Sequence, residues 1–328
     1  MAVMEYIDAI RLAMKEEMEK DESVFVLGED VGVKGGVFTT TKGLMEQFGE
    51  YRALDTPLAE SAIAGVAIGA AMVGMKPIAE MQYSDFMLPA TNQIISEAAK
   101  IRYRSNNDWD CPLVVRAPIG GGIFGGLYHS QCTESIFFGT PGLKIVAPFT
   151  AYDAKGLLKA AIQDPDPVLF FENKKCYKMI TGDVPLDDYT VPIGKANLLR
   201  EGADITVIGY SMSLHFCMQA AEELEKEEGI TAHILDLRTL QPLDRDSIIE
   251  AVRKTGKVLI VHEDNKTGGV GAEVAAIISE ECLFDLDAPI MRCCSPDVPA
   301  MPISPPMEKF FMLSKDKVKE AMRQLAIY

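Results

Sequence analysis

Short, unbroken apolar runs alternate along this chain with stretches whose apolar residues return every three or four positions. Val24-Phe25-Val26-Leu27 is such a run, closed by Gly28-Glu29-Asp30, and it reads as a strand buried on both faces that feeds a polar loop. Ahead of it, Ile7, Ile10 and Met14 stand among acids and lysines at helical spacing. A helix from about Glu60 to Gly74 then precedes a strand at 78–81, a helix near 89–102 precedes a strand at 113–116, and a run at 144–147 precedes a helix at 154–162 and a strand at 168–171. Strands separated by helices of this length predict parallel pairing through crossover helices.

The stretch 182–192, GDVPLDDYTVP, is polar and carries prolines, which predicts a domain connection. One domain is expected over 1–188 and a second over 189–328. Beyond the boundary the rhythm restarts, with strands at 205–208, 232–235, 258–262 and about 289–292, and helices at 212–225, 245–254 and 271–279. A proline-bearing tail, MPISPPMEKFF, leads to a last helix at 315–325. The predicted fold class is α/β, with two successive parallel-sheet domains.

Composition narrows the function classes. The net charge of −16, from 32 Lys+Arg against 48 Asp+Glu, would repel a nucleic-acid backbone or an anionic membrane. No apolar run approaches the roughly 20 residues that a membrane span needs, and the first 20 residues lack the basic-then-apolar build of a signal peptide. Seven cysteines without a CxxC pair or zinc-site spacing read as reduced thiols, so a cytoplasmic location is expected.

Three positions could carry chemistry. Glu60 opens a helix rich in Ala and Gly (SAIAGVAIGAAMVG) with little polar around it but Ser61. It either complements the helix dipole, with Pro57 starting the turn, or is a desolvated carboxylate that shares a proton with a ligand nitrogen. His129 follows a loop with five glycines in seven residues, 120–126, directly after a strand; it is either a hinge-loop histidine or a side chain presented to a ligand from a strand's C-terminal end. Gly268-Gly269-Val270-Gly271 has a dinucleotide-like look, but it begins six residues after the strand end at His262, and a structural turn with close helix packing is the better reading. His215, His233 and His262 lie within helix or strand patterns and read as structural.

GEDVG (28–32), DTPLAESAIAG (55–65), RAPIGGG (116–122), LYHSQ (127–131), PGLKIVAP (141–148), DLRTLQPLD (236–244) and KTGKVLIVHED (254–264) occur in order across the chain, which resembles the β subunits of 2-oxoacid dehydrogenase E1 components. LYHSQ looks most like the branched-chain type. The resemblance implies a thiamine-diphosphate pyrimidine-binding fold followed by a transketolase-like C-terminal domain, in an α2β2 heterotetramer with an E1 α subunit. It implies oxidative decarboxylation of a branched-chain 2-oxoacid and reductive acylation of the lipoyl group of an E2 acyltransferase, with pyruvate as the alternative substrate. It places Glu60 on N1′ of the cofactor's pyrimidine, with Leu58 and Phe86 beside the ring, Phe86 standing where some relatives have tyrosine. His129 is implied to face the active-site channel. Mg²⁺ and the diphosphate need oxygen ligands from a Gly-Asp-Gly start, absent here, so they are expected on the α subunit. A structural K⁺ is implied on loop carbonyls at Pro112 to Val114 and at Ala161, Asp164 and Asp166. Two other classes compete: a nucleotide-dependent oxidoreductase using the 268–273 glycines, and a non-catalytic assembly subunit that only docks E2.

Overall fold

The computed structural model describes residues 1–328, which divide into two compact units: 1–119 with 137–193, and 120–136 with 194–328. The glycine-rich stretch, expected inside the first domain, therefore belongs by its contacts to the second unit.

The first unit is built on a parallel sheet. Its strands are β2 (Val24–Gly28), β3 (Ala53–Asp55), β4 (Lys76–Glu80), β5 (Val114–Ile119), β6 (Lys144–Val146) and β7 (Val168–Asn173), lying in the order β6-β7-β5-β4-β2-β3. Register runs Val26 to Ala53 and Ile78, Ile78 to Val114, Val114 to Val168, and Val168 to Lys144. Every residue of β2, β5 and β7 is buried, as continuous apolar runs covered on both faces require. Helix Tyr6–Lys20 turns Ile7, Ile10, Met14 and Met18 inward and packs against helix Ala151–Gln163. Two pieces escape the alternating rhythm: β1 (Ala2–Glu5) precedes that first helix and pairs antiparallel with β8 (Thr181–Val184).

The single helix expected near 89–102 is not formed. The chain there runs as a 3-10 segment, Ser84–Ala90, a π segment, Asn92–Glu97, a 3-10 turn, Ala98–Lys100, and one α turn, Ile101–Arg104. Pro89 lies inside the first of these, where its missing N–H and its ring both oppose a regular α ladder.

The second unit carries β9 (Asn197–Arg200), β10 (Ile205–Gly209), β11 (Ala232–Asp236), a three-residue β12 (Thr239–Gln241), β13 (Val258–Asn265) and β14 (Met291–Ser295). Five of them form a sheet in the order β14-β13-β10-β11-β9, parallel except for β9, an antiparallel edge with a bulge opposite Ile234 and Leu235. Helices Ser213–Glu228 and Arg245–Thr255 both end on a left-handed glycine, Gly229 and Gly256. Asp244 caps the start of the latter, its carboxylate accepting from the Ser247 amide at 3.4 Å. The parallel α/β architecture read from the sequence is present in both units, with the antiparallel edge as the addition.

Candidate active site

Parallel α/β sheets place their ligands beyond the C-terminal ends of the strands, and the candidate residues of the first unit gather there. β2 ends at Gly28, β3 at Asp55 and β4 at Glu80. The Asp55 carboxylate accepts from the amides of Gly32 at 2.6 Å and Val33 at 3.2 Å, which folds the GEDVG turn back over β3. A Cβ on Gly32 would lie 2.9 Å from Asp55 Oδ2, so that closure needs glycine. The Thr56 amide donates to Gly28 O at 3.0 Å, which fixes the approach of the next segment, Pro57 to Ala59.

Glu60 is the first residue of helix Glu60–Met72, and Leu58, 70% exposed, stands two residues ahead of it. The Ser61 hydroxyl donates to Pro89 O at 2.9 Å, tying the helix start to the 84–90 turn that carries Phe86. Phe86 is half-buried and meets Tyr83 edge to face, with ring centroids 5.5 Å apart. Glu60, Leu58 and Phe86 are thus set along one edge of the sheet.

Of the two readings of Glu60, the desolvated carboxylate needs burial, and within this chain the side chain is only half-buried. The helix buries Ile63, Ala64, Ala67, Ile68 and Ala71 and leaves Ala62, Gly65, Val66, Gly69 and Val73 exposed, so its small-residue face does not shield the carboxylate. A second carboxylate stands near it. Burial, then Asp30, then Glu60 raise the pKa of Glu29. Directly after the buried strand, Glu29 reads from the sequence only as a residue of a polar loop, and nothing there marks it as a neighbour of Glu60.

Behind this edge lies an ion cluster that the sequence did not reveal. Arg116 on β5 donates to Glu80 Oε2 at 2.7 Å and, through two nitrogens, to Glu172 Oε1 at 2.6 Å and Oε2 at 2.8 Å. Thr40 Oγ1 donates to Glu80 and Tyr177 Oη to Glu172. All three charges are buried, and strand register brings Glu80 opposite Arg116.

The two segments expected around potassium adjoin in the first unit, where the Cys111 amide donates to Pro165 O at 2.9 Å and the Val168 amide to Leu113 O at 2.9 Å. Val114 opens β5 two residues after Pro112, and β5 pairs with β7 there. The Ala161 carbonyl accepts the Asp164 amide at 3.3 Å. The Asp164 carboxylate holds the Lys144 ammonium at 2.6 and 2.8 Å, and Asp166 pairs with Arg102. These carboxylates are already compensated, so a cation here would rest on main-chain oxygens. No group of three or more His, Cys, Asp or Glu side chains is arranged to hold a metal ion.

His129 lies in the second unit, half-buried, just after the 3-10 turn Gly126–Tyr128. A Cβ on Gly125 would come within 2.7 Å of His129 Cβ, so a glycine is what lets the loop fold against its own histidine. Of the 268–271 glycines, Gly268 makes a turn at positive φ with open space around it, while Gly269 and Gly271 prove to be packing devices. A Cβ on Gly271 would meet His262 Nε2 at 2.7 Å, and one on Gly269 would meet His262 Cε1 at 2.7 Å. Helix Val270–Glu281 therefore seats directly on a buried imidazole, whose pKa burial pushes down to about 4.

The chain matches known proteins along most of its length. Residues 2–179 match the transketolase pyrimidine-binding domain and residues 194–318 the transketolase C-terminal domain. The chain is 70% identical over 326 residues to the 2-oxoisovalerate dehydrogenase subunit beta of Bacillus subtilis, covering 99% of each. It is 43% identical to the pyruvate dehydrogenase E1 component subunit beta of the same organism, again covering 99% of each. A split-gene transketolase structure shares the fold with a TM-score of 0.79 at 23% identity, over 98% of both chains. No helix is long and apolar enough to cross a membrane. The chain belongs to the β-subunit family of the 2-oxoacid dehydrogenases, on its 2-oxoisovalerate dehydrogenase branch.

Proposed function

We propose that this chain is the β half of a thiamine-diphosphate-dependent E1 that decarboxylates branched-chain 2-oxoacids and passes the acyl group to the lipoyl arm of an E2 acyltransferase. The observation that carries the reading is Glu60 at the first position of its helix, at the strand-end edge of a pyrimidine-binding domain, with Phe86 on the adjoining turn and Glu29 as a carboxylate neighbour. These residues fit the aminopyrimidine half of the cofactor: an acid for a ring nitrogen, and apolar side chains for the ring faces. When bound, thiamine diphosphate supplies the electron sink for loss of carbon dioxide. Glu60 holds a proton at the ring nitrogen; Leu58 and Phe86 give the ring apolar contact; His129 assists substrate binding or proton delivery during transfer to lipoyl.

An α subunit completes the site in an α2β2 assembly, holding Mg²⁺ and the diphosphate and covering the half-exposed Glu60. All seven cysteines are free, which suits a reducing, cytoplasmic setting. Branched-chain oxoacids are favoured over pyruvate by the LYHSQ segment and by the 70% against 43% identities. With the purified α and β chains assembled, 3-methyl-2-oxobutanoate and 4-methyl-2-oxopentanoate are expected to be turned over with kcat/KM at least tenfold above pyruvate, since they add two and three carbons to its methyl group and even one methylene in an apolar pocket is worth about 1–3 kcal/mol. Equal or better use of pyruvate would overturn the substrate assignment.

Potassium is part of the same reading, on the carbonyls around residues 112–114 and 161–166. Exchanging K⁺ for tetramethylammonium in the assembled enzyme is then expected to lower the Tm by roughly 5–11 °C, the effect of removing a ligand held at about 100 times its Kd from a domain of this size. A Tm indifferent to the exchange removes potassium from the site.

A further inference from the structure

Four carboxyl groups of the second unit converge on the glycine-rich segment 120–136. Glu263 Oε1 accepts from the Gly121 amide at 2.7 Å, and Glu308 Oε1 from the Gly122 amide at 3.0 Å. Asp264 accepts from the hydroxyl and amide of Ser135. Glu134, fully buried on the segment itself, accepts from Tyr210 Oη at 2.8 Å through Oε1, while no donor reaches its Oε2. Tyr210 is stacked on His262, with centroids 5.8 Å apart, and His262 Nε2 lies 3.3 Å from Cys294 Sγ.

We propose that Glu134 is a positioning residue: with Tyr210 and Asp264 it forms a proton-dependent latch that holds segment 120–136, and His129 with it, in place. The inference rests on the role given to His129 above. Its physical basis is the lack of compensation for a second buried charge. The groups acting on Glu134 are Asp264 and Glu263 from β13, its own backbone amide, and Tyr210 from the end of β10, with Cys132 also facing Tyr210. Glu308 faces the same segment from helix Pro305–Phe311. His262 stays neutral at physiological pH, and Arg292 on β14 acts on it with the sign that keeps it so. None of these supplies the positive charge that an ionised Glu134 would need beside Asp264. Protonated, Glu134 is neutral and the segment stays seated.

The segment also has the means to leave. Gly120, Gly122 and Gly126 all hold positive φ, a conformation that favours glycine, and glycine regains more backbone entropy on release than any other residue. Ser130, Gln131, Cys132, Glu263, Asp264 and Asn265 border a cavity of about 80 Å³, large enough for water beside Glu263 and Asp264. Burial first, then Asp264, raises Glu134 to about 8. A carboxyl whose seated pKa lies above its free value favours the seated state fully below the free value, and loses that advantage as pH rises toward 8.

Amide exchange of peptide 120–136 in the full chain, followed by mass spectrometry and corrected for intrinsic rates, tests the latch. Opening is expected to rise about tenfold per pH unit between roughly pH 5 and 8 and to level off above 8. Glu134→Gln should abolish the slope, and Tyr210→Phe, which removes a donor that favours the ionised form, should move the plateau to higher pH. A flat wild-type profile, or an unchanged slope in Glu134→Gln, overturns the latch. The amide slope supports the latch even where acyl transfer in the assembled enzyme does not follow it; the failure then belongs to the role given to His129.

Discussion

Replacing Glu60 by glutamine is expected to lower decarboxylation about 10²- to 10⁴-fold in the assembled enzyme, the range over which a positioned acid–base group contributes. Glutamine keeps the length and shape of the side chain and can still hydrogen-bond, but it cannot give a proton to a ring nitrogen and take it back. The helix start should survive the change, because Ser61 Oγ to Pro89 O and the buried face of Ile63, Ala64, Ala67 and Ile68 do not involve the carboxylate. Assembly with the α subunit and the Tm are therefore expected to stay near wild type, separating loss of chemistry from loss of structure. Glu60→Asp, which withdraws the carboxyl by one methylene, should fall between the two. Near-normal single-turnover decarboxylation by Glu60→Gln would remove Glu60 from the mechanism. Activity that survives Glu60→Ala and His129→Ala together would favour a subunit that serves assembly alone.

How far these features could be read in advance follows from what each depends on. The parallel strands were legible because burial on both faces forces unbroken apolar runs such as Val24 to Leu27, and the helices between them because one buried face forces a period near 3.6. The stretch 89–102 reads as one helix because its apolar spacing is helical, while Pro89 and the wide π turn are local backbone events that spacing does not record. β1, β8 and β9 were missed because short edge strands bury little and leave no run to see. Glu60, Leu58 and Phe86 could be singled out, but not the exposure of Glu60, which depends on a helix face that this chain leaves uncovered. The clusters around Arg116 and Glu134 were invisible for a different reason. Each joins residues far apart in the chain, and a lone Glu in a strand or loop looks the same whether it meets water or a buried partner.

Arg116→Met is expected to cost about 3–5 kcal/mol of stability, equivalent to a Tm lower by roughly 6–20 °C. Methionine fills much the same space, so cavity formation is not the main term. What remains is a pair of buried carboxylates, Glu80 and Glu172, whose guanidinium donors at 2.6 to 2.8 Å are gone. Thr40 and Tyr177 still donate one bond each, too little to offset two charges in a fully buried setting. The pH dependence gives the sign of the argument. Burial already raises the Glu80 pKa, with Arg116 opposing it. Removing Arg116 raises it further, so folding takes up protons that the unfolded chain releases, and the deficit should shrink as pH falls from 7 toward 5. Glu80→Gln added to Arg116→Met should recover much of the loss at neutral pH, since one fewer charge is left without a counter-ion. A single variant as stable as wild type at pH 7, or a deficit that does not change with pH, would show that the cluster is not held by its charges.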